Sequence, residues 1–125
     1  MKRLFYILLI ILSPIINSQS QFQEFINHVN SLSTVQQKTA AVDSFMIYAR
    51  TVGIPFIEDS TANFIYLGNY STVTAAGDFN NWSATAWSLT RLSQTNFWYR
   101  SQTFEMDARL DYKFVLNGSN WILDP

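Results

Sequence analysis

The chain has 125 residues, room for one ordinary domain, and a net charge of −1. It has no cysteine, which removes a disulfide framework and a lipid-bearing thiol together; 10 Phe, 6 Tyr and 4 Trp supply burial instead. One histidine and scattered acids make no metal-ligand cluster, and the absence of a basic face disfavours nucleic acid as a partner.

Lys2 and Arg3 precede the apolar run LFYILLIIL (Leu4 to Leu12), which is followed by Ser13-Pro14 and IINSQS. That charged, apolar, small-polar order predicts a cleavable secretory signal peptide over residues 1–20 and a secreted or periplasmic product. A membrane span needs about 20 apolar residues; Leu4 to Ile16 gives 13, so no stable membrane anchor is expected. Cleavage after Ser18 or Ser20 removes two of the eight basic side chains, leaving six against nine acidic ones and a net charge of −3.

The next segment, residues 21–54, reads as a helical hairpin. Phe22, Phe25, Ile26, Val29 and Leu32 recur at helical spacing and make one apolar face. Ser33 with Gln36 resembles a capping box that opens a second helix, along which Val35, Val42, Phe45, Met46 and Ala49 repeat the face until Gly53 and Pro55 end it. PFIEDSTAN then reads as a connecting segment.

From Asn63 the period becomes two. NFIYLG, TVTAAG, WSLTRLS, FWYRSQTF, LDYKFVLNG and WILDP are six short segments rich in β-branched and aromatic residues, separated by Gly, Asn, Ser and Asp. The spacing is that of a β-sandwich. Asn117-Gly118 is a hairpin signal. Alternation in LDYKFVL puts Leu110, Tyr112, Phe114 and Leu116 on one face and Asp111, Lys113 and Val115 on the other. An immunoglobulin-like sandwich usually needs seven strands, so the count predicts a closing strand beyond Pro125.

Catalysis is not read in this segment, and no cofactor is implied. His28 has polar neighbours in the first helix, and no Gly-x-Ser-x-Gly elbow occurs. Glu58-Asp59 and Asp107-Asp111 could be imagined as carboxylate pairs for sugar chemistry, but solvation and local capping account for them. The aromatic and amide residues are more informative. A pyranose offers C–H patches to an aromatic face and hydroxyls at its edge. Trp82 and Trp121 could supply such faces, with Asn80, Asn81, Asn120 and Lys113 as hydrogen-bonding groups around them. The same residue types also serve as core tryptophans and turn asparagines.

VTAAGDFNNWS, LTRL and FWYRSQTFEMDARLDYKFVLNGSNWILDP together resemble carbohydrate-binding module family 48, which includes the glycogen-binding domain of the AMP-activated protein kinase β subunit. The likeness rests on the Gly-x-Phe-Asn-x-Trp turn (Gly77, Phe79, Asn80, Trp82) and on a Tyr-Lys-Phe strand leading through Asn-Gly to Trp and Asp-Pro. It covers residues 63–125 and implies a mainly β, immunoglobulin-like early-set sandwich. It further implies an α-glucan-like polysaccharide or oligosaccharide as partner, with Trp82, Lys113 and Trp121 carrying the contacts. Asp78 departs from the kinase-type pattern, which has a small hydroxyl residue there. Signal, hairpin and sandwich in that order also look like the leading segment of secreted enterochelin-esterase-like hydrolases, a resemblance that implies a downstream α/β-hydrolase domain. Two functions follow: a non-catalytic sugar-binding module, or a structural module that packs on that downstream domain.

Overall fold

A computed structural model describes residues 20–125. All of the expected signal peptide except its last residue, Ser20, lies outside the described residues. Among the described residues no helix is long and apolar enough to cross a membrane.

Helix α1 (Gln21–Ser31) starts at Ser20, whose Oγ accepts the Gln23 N–H at 3.0 Å, and it buries Phe22, Ile26 and Val29. Helix α2 (Val35–Val52) follows after three residues. Its capping box is one residue later than the sequence suggested. Thr34 Oγ1 accepts from Gln37 N–H at 3.2 Å, and Gln37 Oε1 accepts in return from the N–H groups of Thr34 and Ser33. A box on Thr34 leaves Val35 exposed at the first helical position, while Val42, Phe45, Met46 and Ala49 are buried as expected. Gly53, at φ 122°, ends the helix and donates its N–H to Ala49 O. His28 is exposed on α1.

The stretch taken for a connecting segment contains a seventh strand. Strand β1 (Phe56–Glu58) pairs antiparallel with β2 (Thr61–Leu67) through a tight turn in which Asp59 takes φ 50°. The acidic and hydroxyl residues of that turn (Glu58, Asp59, Ser60, Thr61) hid a strand only three residues long. Glu58 also locks the hairpin to the helices: its carboxylate oxygens accept the N–H groups of Gln21 at 2.7 Å and Phe22 at 3.0 Å, two of the free donors at the start of α1.

The strands form two antiparallel sheets. One has four strands, in order β1, β2, β5 (Phe97–Thr103), β4 (Thr90–Arg91); the other has three, β3 (Val73–Gly77), β6 (Tyr112–Leu116) and β7 (Asn120–Ile122). Asn117 and Gly118, both at positive φ, turn β6 into β7 as their sequence predicts.

The four-stranded sheet is covered on both faces. Alternate residues of β2 go opposite ways: Ile65 and Leu67 join Phe97 and Tyr99 against Phe22, Ile26, Phe45 and Met46 of the helices. Ala62, Phe64 and Tyr66 join Trp98 against Phe114, Leu116, Val73 and Ala75 of the other sheet. Sandwiching explains why β2 reads as a nearly unbroken apolar run. Its one polar interior residue, Asn63, is satisfied: Nδ2 donates to Phe56 O at 2.9 Å and Oδ1 accepts from Ser101 Oγ at 2.6 Å. The molecule therefore has three layers, helices, four strands and three strands, with two apolar cores that share β2.

Candidate functional site

Because the helices cover the four-stranded sheet, the broad face left open belongs to the three-stranded one. Register assigns its sides. Val73, Ala75, Phe114 and Ile122 point to the core, whereas Thr74, Val115 and Trp121 form a row on the outer side. Ala76, opposite Lys113, makes the next row. Thr74, Ala76 and Val115 are buried although they face away from the core. Trp121 stands directly opposite Val115 and is 41 % exposed; Lys113 is two residues from Val115 on the same side and is also exposed. The structure thus brings Trp121 and Lys113 onto one surface.

Trp82 enters from the end of β3. After Gly77 the chain makes one turn of 3-10 helix (Asp78–Asn80), and Asn81 and Trp82 both take positive φ, 55° and 56°. The Trp82 N–H returns to Gly77 O at 2.9 Å and its indole N–H donates to Asp78 Oδ1 at 2.9 Å. The indole is 40 % exposed. Gly77 follows Ala76, the residue paired with Lys113, so the backbone of Trp82 is anchored one residue beyond the lysine row.

The asparagines divide. Asn80 holds the turn: Oδ1 accepts the Gly77 N–H at 3.0 Å and Nδ2 donates to Ala75 O at 2.9 Å, so both ends of its amide are engaged by backbone. Asn81 is exposed at the corner beside Trp82. Asn120 pairs with Leu116, a core-facing residue, and so projects from the opposite side of β7 to Trp121. It is solvent-exposed but does not join the tryptophan surface.

Trp87 and Trp98 are structural. Trp87 stacks on Phe79 with centroids 4.2 Å apart and rings 10° from parallel, and the Arg100 guanidinium lies 5.2 Å from the indole centroid. Trp98 donates its indole N–H to Gly68 O at 3.0 Å within the inter-sheet core. The signal separating Trp98 from Trp82 and Trp121 was spacing: Trp98 sits inside a continuous strand, whereas Trp82 and Trp121 adjoin asparagine turns.

Next to this surface, Tyr112 donates its hydroxyl to Asp124 Oδ2. Burial, reinforced by that bond, holds the Tyr112 phenol well above its ordinary range. Asp124 is also raised, by burial, against the lowering effect of the tyrosine. Burial and then the Tyr70 hydroxyl push Tyr66 up to about 12.

A separate cleft of about 530 Å³ opens between the start of α1 and the β1–β2 hairpin, lined by Glu58, Asn63 and Ser101 among others. Of its two carboxylates, that of Glu58 is already committed to helix α1; each end of the Asn63 amide has a partner, and none of the lining residues belongs to the tryptophan surface. Among the described residues no group of acids or histidine is arranged to hold a metal. A scan of protein-family models finds none that matches the chain, and a search of the curated proteins finds no match.

Proposed function

We propose that the chain is a non-catalytic carbohydrate-binding module of the early-set, immunoglobulin-like kind, and that the outer face of its three-stranded sheet takes an α-glucan. The observation that carries this reading is the presence of exposed Trp121 and Lys113 on the same side of one sheet, with Trp82 anchored at the adjoining strand end. Two indoles about two-fifths exposed can each cover one pyranose, and Lys113 and Asn81 lie at hand for its hydroxyls.

Magnitude sets the kind of ligand. Covering about 100 Å² of apolar surface per sugar yields roughly 2.5 kcal/mol at about 25 cal/mol per Å². Two platforms, less ordering costs, correspond to roughly millimolar to sub-millimolar affinity. Such affinity serves a polymer with many repeats, where tethering multiplies weak sites. The module belongs, on this reading, to a secreted protein whose chemistry is performed by an α/β-hydrolase domain of the same polypeptide.

The test is affinity electrophoresis in glycogen and amylopectin gels. Trp82→Ala and Trp121→Ala should each weaken retardation, by up to about 30-fold for loss of roughly 2 kcal/mol of stacking, with far-UV circular dichroism unchanged. Wild-type mobility indifferent to every glycan tried would sink the proposal.

A second reading has its own observation. Leu123 lies exposed two residues beyond Trp121, and Ile47, Val52 and Ile57 are exposed on α2 and β1. Apolar surface of this sort also suits a module that packs on the downstream domain without binding sugar. Attaching that domain should then protect these segments from hydrogen exchange; unchanged protection counts against it.

A further inference from the structure

The feature left unexplained by the sugar platform is the acid beside it. Asp78 occupies a position four residues before Trp82, and its Oδ1 accepts the Trp82 indole N–H at 2.9 Å. Both residues are exposed, so neither is held by the core. Trp82 is at φ 56°, in the left-handed region, directly after Asn81 in the same region. Two successive residues there turn the chain at a corner and leave Trp82 40 % exposed, with its indole N–H bonded to Asp78. The three ring contacts made nearby by Phe79, with Phe64, Trp87 and Phe104, do not include it.

We propose that Asp78 is the positioning residue of the sugar surface: its carboxylate fixes the Trp82 ring through the indole N–H and presents its second oxygen at the ring's edge to a ligand hydroxyl. This rests on the glycan-platform reading and assigns a role to the one residue where the turn departs from the resembling kinase-type pattern. The physical argument is preorganisation. An exposed tryptophan that is free to rotate must be immobilised when sugar binds, and a hydrogen bond already made in the free protein removes that cost. Because Oδ1 takes the indole N–H, the Trp82 edge offers an acceptor rather than a donor. It therefore suits a neutral polyol that donates hydroxyl hydrogens and disfavours a carboxylated or sulfated glycan.

The test combines a spectroscopic reading in free protein with retention on glycan gels. In ¹⁵N-labelled protein, Asp78→Ala should move the Trp82 indole N–H resonance, identified by its absence from Trp82→Phe, and speed its exchange with solvent. The same variant should weaken retention on amylopectin by roughly two- to tenfold, the cost of freezing one side chain. Asp78→Asn keeps an oxygen acceptor and should restore both the resonance and most of the retention. It should also relax the exclusion of a carboxylated polysaccharide such as polygalacturonate.

An unmoved indole resonance in Asp78→Ala overturns the positioning role. A moved resonance with retention unchanged shows that ring orientation is irrelevant to binding and overturns it equally. A wild-type protein that binds no glycan overturns the platform and this role together, while the indole signal still reports separately whether Asp78 orients the ring.

Discussion

At the scale of single residues, the turn after β3 depends on atoms that the sequence motif does not display. Gly77 has an extended backbone, φ −164°, that any residue could adopt; the need for glycine is one of space. A Cβ there would lie 2.5 Å from Asp111 O and 2.8 Å from the Phe79 ring. Neither neighbour can yield cheaply, because one is backbone and the other is stacked on Trp87. Gly77→Ala should therefore cost about 1–3 kcal/mol, read as a lower urea midpoint with an unchanged m-value. An unaltered midpoint would mean that the 104–111 loop moves aside freely. Asn80 makes the same point from the other direction. Its type suggested a sugar contact, and the structure instead uses both ends of its amide to close the turn. Reading that role in advance requires knowing that the carbonyl of Ala75, five residues back, comes within 2.9 Å of the amide, which is a fact of three-dimensional closure rather than of pattern.

At the scale of elements, periodicity was a good guide where segments were long. The 3.6-residue repeat located both helices, and the alternation in LDYKFVL located β6 and its core-facing Tyr112, Phe114 and Leu116. Val115 shares the face of Lys113 as the alternation predicts, yet it is fully buried, opposite Trp121 in the register. Short elements escaped notice. Strand β1 has three residues, too few for a period, and its identity comes from partners at a distance, β2 beside it and α1 above it. Glu58 is the connecting residue, and its role suggests a direct experiment. Glu58→Ala leaves two helix N-terminal donors without their acceptor and should destabilise the domain by about 1–2 kcal/mol. The loss should appear first as faster amide exchange in Gln21–Val29, before the strands are affected. Uniform loss of protection across α1 and the sheets would show instead that the helix and sandwich open only together.

At the scale of the whole molecule, the titratable groups buried near the β6–β7 end link stability to pH. Tyr112 and Tyr66 have folded-state values above the ordinary tyrosine value of 10.0. The stability that depends on their neutral forms is therefore complete below pH 10 and is lost as pH rises, through about 12 for Tyr66. Asp124 has the same sign in acid: its folded value lies above 3.8, so the stability it favours is complete below that pH and is lost as pH rises through the folded value. Urea midpoints measured from pH 9 to 12 should fall in the wild type and fall less in Tyr112→Phe. Absorbance at 295 nm should show these two tyrosines ionising after the exposed ones. An identical alkaline slope in Tyr112→Phe would remove Tyr112 from the account.

The helical layer also gives the molecule a direction. A two-sheet sandwich standing alone has two broad sides on which a partner could settle, and selection could use either. Here α1 and α2 occupy one of them with Phe22, Ile26, Phe45 and Met46. Under the proposed function a long polymer would then approach from the opposite side, where Trp121 and Lys113 lie, and not through the cleft between α1 and the β1–β2 hairpin. On the proposed glycan reading, such a surface lies along a chain at many equivalent positions without threading it, which would favour sliding and re-engagement over capture of chain ends.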